Sequence, residues 1–250
     1  MSDHPGHEFM VATHYAQLRA SEQRRGVPQP PLEWPYDAAQ PRICLPSPYD
    51  VPLQPCDLRT LIEERSSIRE YAPTPLALDE LAYLLWCTQG VRQRVGDKLT
   101  LRTVPSAGAR HAFETYLVIN QVEGIASGLY RYLAMEHALY GLPVSGDITA
   151  DVTAACLGQE MIGKCAVTFI WVAVAARMTW RYGERGYRYL HLDAGHVCQN
   201  LYLAAQPLDC GVCAIAAFDD DLLNNTLQLN GKELFAIYLA TVGKKRMTKG

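Results

Sequence analysis

Cys165-Ala-Val-Thr-Phe-Ile-Trp-Val-Ala-Val-Ala-Ala176 is the stretch on which the fold class turns. It is apolar apart from Thr168 and rich in β-branched and aromatic residues, which predicts a central strand buried on both faces. It is also too short to span a bilayer. Downstream, residues 186–208 carry a long helical pattern, and upstream a polar-to-apolar helix is expected around 148–158. Further out, residues 113–120 are rich in β-formers, 128–133 and 137–142 read as short strands paired around a turn, and 234–242 supplies a final strand. The strands cluster instead of alternating strictly with helices. The chain therefore fits an α+β sheet flanked by helices better than a doubly wound fold.

The 250 residues, 49% of them apolar, suffice for a substantial core. Ten of the fifteen prolines lie in residues 1–56. This predicts an extended N-terminal arm ahead of a domain at 57–250, with Trp34, Tyr36, Ile43 and Leu45 as apolar anchors that wrap it over the core or over a partner subunit. Asp57 is placed to cap a helix carrying Leu58, Leu61 and Ile62. A second helix begins at Asp79 and Glu80, runs through Leu81, Leu84, Leu85 and Thr88, and stops at Gly90. The basic stretch 92–102 is expected to be a solvated loop, since it has no aromatic residues to stack on bases.

A net charge of -3 gives no general field for nucleic acid, so the expected ligand is a small molecule. The N-terminus lacks the cationic and apolar regions of a signal peptide, and the expected location is the cytoplasm, with no membrane attachment. The eight cysteines sit mostly in apolar or helical patterns and are expected to be reduced. Cys210-Gly-Val-Cys213 has the spacing of a redox dithiol, but no strand feeding a helix N-terminus is expected there, so it is read as buried small residues. His191 and His196 are five apart and diverge on a helix, and no metal site is expected.

No GxGxxG after a strand, Walker loop or GxSxG elbow is present. What stands out is Arg65-Ser-Ser-Ile-Arg-Glu-Tyr71, where two guanidinium groups and two hydroxyls at a helix end can hold a phosphate and reach a neighbouring electron-rich group. Val104-Pro-Ser-Ala-Gly-Ala-Arg110 joins a rigid turn to small residues that permit close backbone approach to a planar ligand. A later turn of small residues, Cys213-Ala-Ile-Ala-Ala-Phe218, completes the order.

With Leu84-Leu-Trp-Cys-Thr-Gln-Gly90, Gly128-Leu-Tyr-Arg-Tyr132, Tyr187-Arg-Tyr-Leu-His-Leu-Asp-Ala-Gly-His196 and Gln199-Asn-Leu-Tyr-Leu203, these segments resemble the nitroreductase superfamily from about Leu45 through Gly243, particularly its SagB/ThcOx-type dehydrogenase branch. The resemblance implies a mainly antiparallel sheet flanked by helices, an intertwined homodimer and FMN sites at the subunit interface. It implies that Arg65, Ser66 and Ser67 approach the FMN phosphate and ribityl chain, and that Arg69 approaches the pyrimidine edge. Pro105, Ser106, Ala107 and Gly108 would reach the flavin held by the opposite subunit. Gln159 would read the pyrimidine ring, Ile215, Ala216 and Ala217 would offer backbone contacts near flavin N5 and O4, and Lys244, Lys245 or Arg246 would supply a phosphate-binding cation.

In azoline oxidases of this branch a lysine-tyrosine pair beside the flavin is associated with proton removal. The matching positions here are Arg181 and Tyr182. Arginine stays protonated and is a poor general base, which moves the expectation towards ping-pong hydride transfer from NAD(P)H to a small nitroaromatic, quinone or related acceptor. The alternatives are a dehydrogenase acting on azoline-type peptide-derived substrates and a flavin-binding module without turnover.

Overall fold

Strand Val167–Val174 (β7) is buried along its whole length at the centre of the molecule. Its side chains alternate between two cores, as the two-residue period of a strand requires. Val167, Phe169, Trp171 and Ala173 face one helical layer, while Ile170, Val172 and Val174 face the other. It pairs antiparallel with Phe113–Ile119 (β4) on one side and with Leu234–Lys244 (β9) on the other. Outside β4 come Gly128–Leu133 (β5), Ala138–Leu142 (β6) and Arg42–Cys44 (β1), and outside β9 comes Cys210–Ile215 (β8). The seven-stranded order is β1-β6-β5-β4-β7-β9-β8, with every neighbouring pair antiparallel.

The computed structural model describes residues 4–246. One face of the sheet is covered by Leu78–Gln89 (α3) and Gly186–Ala205 (α7), which bury Leu81, Leu84, Leu85, Leu190, Ala194, Val197 and Leu201. The other is covered by Ile148–Ala155 (α4), Met161–Lys164 (α5) and Asp220–Thr226 (α8), with Ile148, Val152, Ile162 and Leu223 buried. The expected α+β fold, a mainly antiparallel sheet flanked by helices, is the fold observed. Asp57 accepts from the Thr60 amide and caps Leu58–Glu64 (α2), and Gly90 ends α3.

Three elements differ from the reading of the sequence. The basic stretch is a hairpin, Val91–Val95 (β2) with Leu99–Arg102 (β3), because Gly96 at φ 54° turns the chain between alternating residues. Most of its first strand is solvated, yet Arg102 is buried and donates to Gln89 Oε1 at 2.9 Å. Cys210-Gly-Val-Cys213 lies on the edge strand β8, where both cysteines are buried and burial pushes the Cys210 thiol up to about 12. Between β7 and α7 stands a further helix, Ala175–Tyr182 (α6).

The proline-rich segment is not uniformly extended: it holds a helix, Pro5–Ala12 (α1), and the strand β1. It wraps over its own chain. The Trp34 amide donates to Glu114 Oε1 at 2.8 Å, Arg131 donates to the Trp34 carbonyl, and Arg177 donates to the Pro31 carbonyl. Ile43 and Leu45 pack against the core and Tyr36 lies 5.5 Å from Tyr140, ring to ring.

Candidate functional site

The Arg65–Tyr71 run lies along the β8 edge of the sheet. Ser67 bridges Val212, and the Ile68 amide donates to the Val212 carbonyl at 2.9 Å. Gly211 makes room for this, since a Cβ there would stand 2.6 Å from the Ile68 side chain. Tyr71, buried, locks the far end by donating to the Ile68 carbonyl at 2.7 Å and sharing a hydrogen bond with Thr241 Oγ1. Partly buried Ile68 and buried Tyr71 thus seat the run on the sheet edge, with Ser66, Ser67 and Arg69 exposed.

Two clusters grow from this edge. In one, Arg65 caps the end of α2 with its guanidinium 5.4 Å from the centre of the Tyr202 ring. The Tyr202 hydroxyl lies 2.9 Å from Ser67 Oγ and accepts from the Ala214 amide at 2.9 Å. Ser66, beside them, is exposed. In the other, Arg69, Gln159 and Arg246 line a cavity of about 460 Å³ together with Glu70, Tyr71 and Lys164. Gln159 Nε2 donates to the Cys156 carbonyl at 3.0 Å and to the Ala217 carbonyl at 2.9 Å, tying its loop to the turn after β8. The last ladder pair of β8 is Ile215 with Leu239, so Ala216 and Ala217 stand exposed beyond it while Ile215 is buried.

Neither Arg65 nor Arg69 has a carboxylate partner among the described residues, in contrast to Arg42, Arg131 and Arg177. Lys244 is differently committed, with Nζ bonded to a Glu80 carboxylate oxygen and to the Leu208 carbonyl. Arg246 is tied by its Nε to the Tyr71 carbonyl at 3.0 Å and by an exposed contact to Glu70. Of these two cations, Arg246 alone is among the residues lining the cavity. Two guanidiniums without acidic partners beside a serine hydroxyl form an acceptor-seeking surface, which fits a phosphorylated, electron-rich ligand such as FMN.

The Pro105–Gly108 turn forms a third cluster on the other side of α7. Ser106 Oγ donates to Asp193 Oδ2 at 2.6 Å and accepts from the His111 amide, and the Ala107 amide also donates to Asp193. Burial pushes the Asp193 carboxyl up against the lowering effect of these donors. The hydroxyl of Ser106 is thereby spent within the chain, leaving Pro105 and Gly108 as the exposed parts of the turn. Gly108 sits at φ 58°, and a Cβ there would stand 2.4 Å from the Tyr182 hydroxyl and 3.0 Å from Arg181 Nε. Arg181 and Tyr182, in the last turn of α6, therefore pack at this turn, with Tyr182 edge-on to Tyr189 at 4.8 Å.

Asp193 and Tyr202 anchor opposite halves of this arrangement. Nine residues of helix separate them, about 13.5 Å along the axis and about half a turn around it. The Asp193 and Tyr202 side chains thus leave α7 in opposite directions. Both anchors lie in segments that carry the family resemblance, 187–196 and 199–203, but the sequence alone assigns neither of them a role.

A family model described as the nitroreductase family matches residues 62–244. The chain belongs to this family. Among its relatives, a nitroreductase-family protein of Methanocaldococcus jannaschii is 35% identical over 188 residues, 75% of this chain and 91% of that one. The trifolitoxin-processing protein TfxB of Rhizobium leguminosarum bv. trifolii is 29% identical over 171 residues, 64% of this chain and 46% of its own length. A crystal structure of a nitroreductase-family protein from Anabaena variabilis superposes with a TM-score of 0.64 at 31% identity, over 76% of this chain and 38% of the other. Family membership places this nitroreductase-family chain among oxidoreductase-type enzymes. No helix among the described residues is long and apolar enough to cross a membrane.

Proposed function

We propose that the chain is an FMN-dependent oxidoreductase that works as a cytoplasmic homodimer, passing electrons from NAD(P)H to a small nitroaromatic, quinone or related acceptor. The observation that carries this reading is the pair of guanidiniums without a carboxylate partner among the described residues: Arg65 over the Tyr202 ring, and Arg69 beside Gln159, which is tied to the Ala216-Ala217 turn. When bound, FMN would supply the two-electron redox chemistry of a ping-pong exchange between donor and acceptor.

The protein's part is binding and electrostatics. Arg65 and Ser67, with exposed Ser66 between them, face the phosphate end; of the C-terminal cations, Arg246 lines the Arg69–Gln159 cavity and Lys244 is an ion-pair partner of Glu80. Arg69 lies where a fixed cation stabilises negative charge that develops on the pyrimidine edge. Both amide protons of Gln159 point at carbonyls, which leaves its Oε1 as an acceptor for an imide N–H. The amides of Ala216 and Ala217 lie beyond the β8 ladder and can serve as backbone donors. Pro105 and Gly108 would meet the flavin of the opposite subunit, with Arg181 and Tyr182 behind them, Tyr182 as proton donor or orienting group.

The test is direct. The purified protein should be yellow or take up FMN, bleach anaerobically with NADH or NADPH, and recolour with a quinone or nitroaromatic. A colourless protein that takes up no FMN overturns the cofactor assignment, and bound FMN that no donor bleaches overturns the reductase reading. A second reading, oxidation of an azoline-type peptide substrate, is favoured by the similarity to a trifolitoxin-processing protein. Arg181 weighs against it, because a guanidinium cannot take up the proton.

A further inference from the structure

Tyr202 joins two segments that the chain brings from far apart, the Ser67 edge and the strand that leads into the Ala216-Ala217 turn. The direction of its hydrogen bonds follows from what each atom can do. The Ala214 amide is a donor only, so the Tyr202 oxygen must accept from it. The phenolic proton then needs an acceptor, and Ser67 Oγ, 2.9 Å away, is the acceptor present among the described residues. Either oxygen of the Tyr202–Ser67 pair can be the donor; in the arrangement with Tyr202 as donor, the Ser67 proton is turned away from it. Ser67 is exposed, so that proton points to the open side of the edge where Arg65 also lies.

We propose that Tyr202 is a positioning residue that fixes the Ser67 hydroxyl as a donor towards an anionic ligand, the phosphate of a flavin mononucleotide on the reading given above, on which this inference rests. A free serine hydroxyl rotates and can present either a lone pair or a proton. Held by Tyr202, itself fixed by the Ala214 amide, it presents the proton and loses less rotor freedom when the anion arrives. The same ring supports the Arg65 guanidinium, so one side chain aligns both a neutral and a charged donor. The chain thereby discriminates by the phosphate, and the edge favours the phosphorylated flavin over its dephosphorylated form.

Tyr202→Phe keeps the ring under Arg65 and removes only the hydroxyl. Dissociation constants for FMN and for riboflavin are measured by flavin fluorescence on the wild type, Tyr202→Phe, Ser67→Ala and the double variant. Tyr202→Phe should weaken FMN by about tenfold, the scale of one hydrogen bond to a charged group. Riboflavin should change by less than about twofold, since the phosphate contact is absent. In the Ser67→Ala background Tyr202→Phe should add nothing further, because its effect passes through that hydroxyl. Ser67→Thr, which keeps the donor, should bind FMN like the wild type. Equal losses for the two flavins, unchanged FMN affinity or additive losses overturn the assignment while leaving the cofactor reading intact. If the wild type binds neither flavin, the cofactor reading fails, and the rise in thermal midpoint with inorganic phosphate decides the inference: loss of that rise in Tyr202→Phe supports it, and an unchanged or absent rise overturns it.

Discussion

At the scale of single residues, His111 shows how burial shapes chemistry next to the turn. It is 5% exposed, its amide holds Ser106, and burial followed by the charge of Arg102 pushes its imidazole down to about 3, with Arg110 and Arg177 adding to the effect. The folded state therefore keeps His111 neutral where the unfolded chain, titrating near 6.5, takes up a proton. Its contribution to stability is complete above the unfolded value and is lost as pH falls from about 6.5 towards about 3, at up to about 1.4 kcal/mol per pH unit. Denaturant unfolding of the wild type should weaken steadily over that window, and His111→Gln should flatten the slope by up to one proton; an unchanged slope would show that other groups carry it. In the sequence His111 was silent, as was Asp193. By contrast, the arginine-serine run and the 213–218 turn stand out by residue type and order and Gln159 only through the family resemblance, and the structure brings Arg69 and Gln159 to one cavity and ties Gln159 to that turn. The partners that orient them are ordinary helix and strand residues, whose role depends on three-dimensional neighbours that no local pattern encodes.

Among the elements, legibility followed periodicity. Strands β4, β5, β6, β7 and β9 and helices α2, α3, α4 and α7 all lie where alternation, capping residues or helical spacing placed them. Strand β8 was hidden because it is made of small residues directly after a long helix, separated only by a short turn in which Asp209 takes φ 52°. Helix α6 was hidden because Arg177 is drawn inward by a charge that lies sixty-three residues away, and its Nη2 bonds Glu114 at 2.6 Å with the two side chains 3% and 4% exposed. Glu114 is the knot of the N-terminal strap, as it also accepts from the Trp34 amide while Arg177 and Arg131 hold the Pro31 and Trp34 carbonyls. Glu114→Gln would leave two guanidiniums buried without their countercharge. A loss of about 3–5 kcal/mol in denaturant unfolding is expected. The strap should loosen with it, and limited proteolysis should cut within residues 14–41 of the variant while sparing the wild type. A variant as stable and as protected as the wild type would show that the strap is held by its apolar anchors instead.

For the whole molecule, the geometry of α7 sets the argument for two subunits. Asp193 fixes the PSAG turn on one side of this helix, and Tyr202 fixes the arginine-serine edge about half a turn away. On the proposed reading, a flavin at the Arg65–Arg69 edge would therefore meet the Gly108 turn of the opposite subunit, and a two-fold dimer would complete each site from both chains. Complementation tests this. One variant, Arg65→Ala with Arg69→Ala, lacks the cationic edge; another, Gly108→Val, places a side chain where the Tyr182 hydroxyl stands 2.4 Å from an added Cβ. Each homodimer should be inactive in NAD(P)H-driven quinone reduction. A heterodimer isolated through two different tags holds one site with both lesions and one with neither, so it should regain about half the wild-type activity. If both clusters served a site within one chain, every site in the heterodimer would carry a lesion and the mixture would stay inactive. Recovery would make dimerisation a requirement of the chemistry, and its absence would place the PSAG turn and the arginine-serine edge in a site within one chain.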